Sequence, residues 1–324
     1  MLKHFTGEKR LDDAFWRRNS PSIVTENPSF LISFSFGINT AKWGRYIFVL
    51  SLNLEETAKS ENITCVTDSL DTINKVRGYD NGNTNLAIPL CIYLFPTPEE
   101  IYVSNSEASN HSHCGIVQFP CLTMKHSLTR QTGTKKVIVN RMIMMSDELA
   151  FGEQKHEIRG KDDQSGWTVS DATAGANTAM VTVGVETVLS TLIFSLPPSL
   201  SHSTFISSSS SSSSSLTMSQ CSLSIQNPSS ELTFLFLSVE SGILIIDKFS
   251  ASSIDLRRNP LISLSGSGTN TELMSTLWLN MTNCHFTEIE RATGNGGCVN
   301  IDNSNDENSN TQINIEENVF DGLG

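Results

Sequence analysis

The chain has 324 residues, of which 38% are hydrophobic and only 17% charged, and it carries a formal charge of −12. That length holds one large domain or two ordinary ones. Ser, Thr and Asn, poor helix-interior residues that favour short strands and turns, fill the place of the missing charges. Residues 221–324 alone have 13 acids against 4 bases, a balance that repels phosphate backbones and argues against nucleic-acid binding.

The seven cysteines (Cys65, Cys91, Cys114, Cys121, Cys221, Cys284 and Cys298) follow neither zinc-ribbon spacing nor a dense disulfide framework. Three sequons, at Asn62, Asn110 and Asn280, are candidate N-glycosylation sites and point to a secretory route. The first ten residues lack the apolar core of a signal peptide. No apolar run is long and uninterrupted enough to span a bilayer, so no membrane span is expected.

In chain order, residues 1–100 read as a β-containing N-terminal region without a clear fold. Ile47–Leu50 and Ile88–Leu94 have the look of buried strands, with polar loops such as Tyr79–Asn83 between them. Ile101–Val103 is a strand, followed by a polar loop to Cys114. Pro120 then opens a short helix with Leu122, Met124 (or Lys125) and Leu128 at helical spacing. Lys136–Asn140 is the next strand, and a short helix feeding many short strands suits the cap of a solenoid. Met180–Pro197 is apolar and valine-rich, hence consecutive strands. Within 197–219 lies the unbroken run Ser207–Ser215, which has no apolar surface to offset its ordering entropy and reads as a disordered linker or insertion loop.

The C-terminal third repeats. Leu279–Ile289 aligns with Ile313–Leu323 at an offset of 34, pairing Leu279 with Ile313, Met281 with Ile315, Phe286 with Phe320 and Ile289 with Leu323. At an offset of 37, Leu244 and Phe249 map onto Met281 and Phe286, and Leu261–Leu264 onto Cys298–Ile301. Each unit holds two strand-like segments and two turns. Alternating residues within units of this length imply coils stacked in register, with like residue on like. Phe249, Phe286 and Phe320, with Met281, Ile315, Leu264 and Ile301, are the expected internal stack. Gly294–Gly297 would turn one sheet into the next. The pattern stops mid-repeat at Gly324, which leads to the expectation of further coils beyond it.

The Asn-Cys-x-Phe…Gly-Asn-Gly-Gly-Cys-Val-Asn-Ile layout over Leu279–Asp302 resembles right-handed parallel β-helix proteins of the pectin-lyase-like type. It is most similar to expanded surface families of anaerobic flagellate protists such as oxymonads. The Cys114-Gly115…Pro120-Cys121 stretch is similar to the N-terminal cap of that family. The resemblance covers residues 101–324 and implies an all-β solenoid. Its members include polysaccharide lyases and hydrolases, and also adhesins without known catalysis.

Carboxylates on an outer sheet face, with or without bases and calcium, are what catalysis on such a fold requires. Asp302, Asp306, Glu307, Glu316, Glu317 and Asp321 are the candidates, but no Lys or Arg follows Arg291. The sequence displays no converging acids and bases, and solvated loop acids are the simpler reading. The Asp302–Asp306 run lacks the Gly and final acid of a calcium loop, leaving only weak Ca2+ binding. His111, His113, Cys114 and Cys121 match no standard metal spacing; a Cys114–Cys121 disulfide or free thiols fit better. His156-Glu157 fails the zinc-protease motif, and Ser265–Gly268 fails the nucleophile elbow. Trp167 and Trp278 are sugar-stacking candidates, though packing is the plainer role. Cys284 and Cys298 read as small buried hydrophobes. The expected role is therefore a non-enzymatic, extracellular or cell-surface scaffold for adhesion or glycan binding, without a cofactor, contacting glycans or other surface proteins. The alternative is a carbohydrate-active enzyme of the same superfamily.

Overall fold

A computed structural model describes residues 16–17, 47–51, 54–59, 76–80, 88–94, 97–106, 108–169, 179–208, 214–228, 230–256, 259–265, 276–290, 297–302 and 310–321. Two compact units emerge, residues 1–98 with 111–119, and residues 99–110 with 120–324. The loop 111–119 thus belongs with the first unit, although the resemblance placed it in the cap of the second.

In the first unit, Trp16–Arg17, Ile47–Ser51 and Val76–Asp80 pair in parallel, and Ile88–Pro89 closes the sheet antiparallel to Val76–Asp80. The expected strand over Ile88–Leu94 is thus only two residues long. Pro89 offers no N–H to continue a ladder, and Leu90–Tyr93 turn into a buried 3-10 helix.

The second unit is a parallel β-helix of three-strand coils. The first coil runs through Lys135–Asn140, Met142–Met145 and Leu149–Ala150, the second through Lys155–Gly160, Gly166–Val169 and Ala179–Val183. The third is Glu186–Ser190, Ile193–Leu196 and Thr204–Ser208, and the fourth Ser215–Ser219, Ser222–Ile225 and Leu235–Val239. The fifth is Gly242–Asp247, Ser250–Asp255 and Ile262–Ser265, and the sixth Thr276–Thr282, His285–Glu290 and Val299–Asp302. Asn310–Glu316 and Val319–Asp321 begin a seventh. First strands stack into an eight-stranded sheet A that also includes Glu100–Ser104; second strands form a seven-stranded sheet B, and third strands a six-stranded sheet C. All pairing within these sheets is parallel. Each unit of the repeat accordingly has three strands where the sequence pattern displayed two, and Met180–Leu196 does form consecutive strands.

The cap helix starts later than its proline suggests. It spans Met124–Thr129, with the Thr123 hydroxyl accepting from the His126 N–H. A Thr cap satisfies one of the orphan donors of the first turn, while Pro120 and Cys121 stay extended; Cys121 donates its N–H to the Tyr102 carbonyl.

Both ends of the serine tract belong to strands of the solenoid. Ser207 and Ser208 complete one strand and Ser215 opens the next. Ser208 and Ser214 are buried with their hydroxyls 2.9 Å apart, and Ser214 also donates to the Ser241 carbonyl. Only 209–213 lie outside the described residues.

Between the first and second strands, most coils turn on a single residue in the left-handed region. These are Arg141, Thr191, Gln220, Lys248, Asn283 and Glu317, with φ between 54° and 68°. None is a glycine; the next coil holds the conformation at four of them, where the corner amides of Thr191, Gln220, Lys248 and Asn283 donate to Ser219, Asp247, Thr282 and Glu316. The next residue points inward, which sets Leu192, Cys221, Phe249 and Cys284 along one buried row.

The core is an aromatic series. Trp167 meets Phe194 at 5.3 Å, Phe194 meets Phe205 at 5.9 Å, and Phe205 meets Phe236 at 5.9 Å between centroids. Phe236, Phe249, Phe286 and Phe320 follow at 5.6, 6.0 and 5.1 Å.

Candidate functional site

On sheet A, side chains alternate between core and outer face. The outer face divides into two regions. Toward the N-terminal coils it is charged: Lys155 Nζ lies 2.7 Å from Glu186 and 3.2 Å from Glu157, and Arg159 is 2.9 Å from Glu100. Acids and bases do converge here, contrary to the expectation from sequence. Glu157 is on the same strand as Lys155, but Glu186 and Glu100 come from strands about 30 and 60 residues away, so no local motif announces the cluster. The carboxylates beside Lys155, Glu186 foremost, raise its pKa and hold it charged, which makes it a poor proton acceptor near neutral pH.

Toward the C-terminal coils the same face is apolar and amide-bearing. Trp278 is 44% exposed and stands between Ile243 and Gln312 in register. Two residues along, Asn280 stands between Ile245 and Asn314, and Asn314 Nδ2 donates to Asn280 Oδ1 at 3.0 Å. The exposed indole thus lies beside a row of amides on a flat sheet, apolar ring next to polar donors and acceptors. Asn280, a candidate glycosylation site, belongs to this same surface.

The other candidate Trp is core: Trp167, on sheet B, is fully buried. Of the candidate carboxylates, Asp302 ends a strand of sheet C, Glu316 ends one of sheet A, Glu317 is a left-handed corner, and Asp321 lies on sheet B; all four are exposed. They are not brought together on one sheet. Asp306 and Glu307 lie outside the described residues, as do Asn62, Leu323 and Gly294–Gly296. Asn110 is exposed, its Oδ1 accepting from the Thr123 backbone and hydroxyl.

Phe286, Met281 and Leu264 are buried, as is Phe249. Ile301 is half-buried, while Ile315 and Phe320, on the inward rows of the last coil, are 46% and 42% exposed. The registers Leu279 with Ile313, Met281 with Ile315 and Phe286 with Phe320 are those of the repeat, and Leu264 faces Ile301. Leu244, however, faces Leu279, and Met281 faces Ile246. In the strands Ala251 is the partner of Phe286; Phe249 reaches the Phe286 ring from the corner row, over that small residue.

Cys91, Cys114 and Cys121 are disulfide-bonded, so none offers a thiolate to a metal. Cys221 and Cys284 are free thiols and buried, and Cys298 is buried as well; burial pushes the Cys221 thiol up to about 11 and raises Cys284 too. In the first unit, Tyr93 Oη lies 3.2 Å from His111 Nε2, and His113 packs edge-on against Tyr93 at 4.9 Å. Among the described residues, no helix is long and apolar enough to cross a membrane. No family model, curated protein or solved structure matches the chain.

Proposed function

We propose that this protein is a non-catalytic, surface-exposed or secreted β-helix that binds glycans through the C-terminal half of the outer face of sheet A. The observation that carries this reading is the exposed Trp278 beside the Asn280–Asn314 amide ladder and Gln312. A pyranose has an apolar C–H face and a rim of hydroxyls. A flat indole covers the first, and amides, each both donor and acceptor, take the second. The rigid parallel sheet fixes their spacing in advance, at about 4.8 Å per coil, which limits the entropy lost on binding. The disulfide-bonded Cys91, Cys114 and Cys121 support an oxidising, extracellular setting.

The test is retention on insoluble polysaccharides and on a glycan array, comparing the wild type with Trp278→Ala and Asn314→Ala. We expect Trp278→Ala to lose at least about tenfold in affinity while melting within a few degrees of the wild type, because an exposed side chain contributes little to the core. Equal binding by the two proteins would refute this site. A hydrolase or lyase reading draws on the Glu157–Lys155–Glu186 cluster. It requires product release from the same polysaccharides that disappears in Glu157→Gln and Glu186→Gln.

A further inference from the structure

The first strand of the sixth coil carries three outward side chains in a row. Leu277, Leu279 and Met281 are buried, so Trp278, Asn280 and Thr282 share the outer face of sheet A. The last two are the acceptor and the hydroxyl of the sequon Asn280-Met281-Thr282, and the exposed indole precedes the acceptor by two positions. Two residues of strand span roughly 6.6 Å, which brings the first sugar joined to Asn280 within reach of the ring.

N-glycosylation engages Nδ2 of the acceptor and leaves Oδ1 to accept hydrogen bonds. Asn280 is held in that sense. Asn314 Nδ2 donates to its Oδ1 at 3.0 Å, while its own Nδ2 donates to none of the described residues. Toward the fifth coil its neighbour in register is Ile245, and that of Trp278 is Ile243, both half-buried. They form an apolar shelf for an acetamido methyl group, next to an indole for the sugar's C–H face. Asn110, the other described sequon asparagine, is likewise held through Oδ1, but Ala108 occupies the position that Trp278 has here.

We propose that Asn280 carries an N-linked glycan whose first N-acetylhexosamine lies on Trp278, so that the chain's own sugar occupies the binding surface. The inference rests on the reading of Trp278 as a pyranose platform and supplies its regulation: the glycosylated chain is closed to external glycans and the unmodified chain is open. The comparison of the wild type with Trp278→Ala on polysaccharides therefore applies to the unmodified chain. The sugar donor is a lipid-linked oligosaccharide diphosphate. The bond from C1 to the diphosphate oxygen breaks, the bond from C1 to Asn280 Nδ2 forms, one amide proton is released, and the lipid diphosphate leaves. Nothing is oxidised or reduced. The disulfide-bonded Cys91, Cys114 and Cys121 are in keeping with the secretory route on which such transfer takes place. A sugar tethered this closely acts at an effective concentration on the order of millimolar, which outcompetes free glycans present below it.

The experiment compares the full chain secreted from eukaryotic cells with its Thr282→Val variant, both trimmed by endoglycosidase to one N-acetylglucosamine per modified asparagine. Valine keeps the shape of Thr282 and removes the hydroxyl that the sequon needs, leaving Asn280 and Trp278 in place. Because Thr282 Oγ1 also donates to Asp247 Oδ1 at 3.0 Å, the wild-type chain produced without glycosylation provides a second unmodified surface. Peptide mass spectrometry reads the sugar on Asn280, and hydroxyl-radical footprinting reads the exposure of Trp278. We expect Asn280 to be modified in the secreted wild type and its Trp278 to be oxidised several-fold more slowly than in either unmodified protein. Retention on insoluble chitin should be weaker in the glycosylated chain by about tenfold or more. An unmodified Asn280 in the secreted wild type, or equal oxidation of Trp278 in the modified and unmodified proteins, would overturn the inference. Shielding of Trp278 by the sugar, with no polysaccharide retaining either unmodified protein, upholds it and removes the external-glycan reading instead.

Discussion

Replacing Phe194 by Ala removes a ring with three aromatic neighbours in the solenoid. It is fully buried and meets Trp167, Phe205 and Phe236 edge-on at 5.3, 5.9 and 5.5 Å. Truncating a buried Phe costs ~3–5 kcal/mol, from lost transfer energy and the cavity that remains. Each edge-to-face pair contributes ~0.5–1.5 kcal/mol beyond area burial, so three such pairs place Phe194→Ala at the upper end of that range, ~5 kcal/mol. Phe320 offers an internal control. It stacks on a single ring, Phe286, at 5.1 Å and is 42% exposed, so Phe320→Ala should cost ~1–2 kcal/mol, about half of a buried truncation or less. The assay is equilibrium urea unfolding followed by tryptophan fluorescence, to which the buried Trp167, packed against Phe194, contributes beside the chain's three other tryptophans. Amide hydrogen exchange then maps the loss, which should concentrate in the second to fourth coils because each coil touches only its neighbours. Equal costs for the two substitutions, or a cost below ~1 kcal/mol for Phe194→Ala, would show that the aromatic series is not the core.

Gly242 has φ +100°, and a Cβ there would lie 2.1 Å from the Ser214 carbonyl oxygen. Gly242→Ala should therefore cost ~1–2 kcal/mol for the backbone alone and more for the clash, whereas Gly152→Ala, which meets nothing within 4 Å, should melt with the wild type by calorimetry. Thr191 is a β-branched residue at φ 54°, and Thr191→Gly should raise stability by ~1 kcal/mol in the same measurement. Because the His156 pKa is lowered in the folded chain, the unfolded chain binds a proton there that the folded one refuses. Its contribution is present above about pH 6.5, the ordinary histidine value, and is lost as pH falls through the folded pKa. His156→Phe should flatten that acid-side slope in urea midpoints. Cys221, with its thiol pushed up to about 11, should resist a thiol reagent at pH 8 in the folded chain and react once the chain is unfolded in urea.

The last coils were legible in the sequence because their partners recur at nearly constant distance: Phe286 to Phe320 spans 34 residues and Leu264 to Ile301 spans 37. Upstream the coils shorten. Trp167 to Phe194 is only 27 residues, and Phe194 faces Leu223 in the next coil. A fixed period therefore passes over the aromatic half of the core, and Phe205 and Phe236 add to it from sheet C, outside the aligned strands. The third strand of each coil stayed hidden for a similar reason. Segments such as Thr204–Ser208 are buried at nearly every position and do not alternate. The charged cluster around Lys155 and the polar row of Lys135, His156 and Thr187 exist only after stacking. Each residue alone reads as an ordinary strand position, and only the register makes neighbours of them. Trp278 was visible as a candidate, but its amide neighbour Asn314 comes from the next coil, 34 residues away from Asn280.

The buried pair Ser208 and Ser214 has a consequence for inheritance as well as for folding. A homopolymeric tract is the kind of coding sequence in which copying errors add or drop units, and in most strands one lost residue would flip every following side chain to the wrong face. Here the Ser208 and Ser214 hydroxyls meet, and Ser208 and Ser215 stand in register with Val183 and Glu186 of the neighbouring coil, so serines added between them leave the downstream register intact. The entropy of closing a loop grows only logarithmically, by about 0.6 kcal/mol for each doubling of its length. Variants of this chain with longer serine runs should therefore keep the register of the strands on either side.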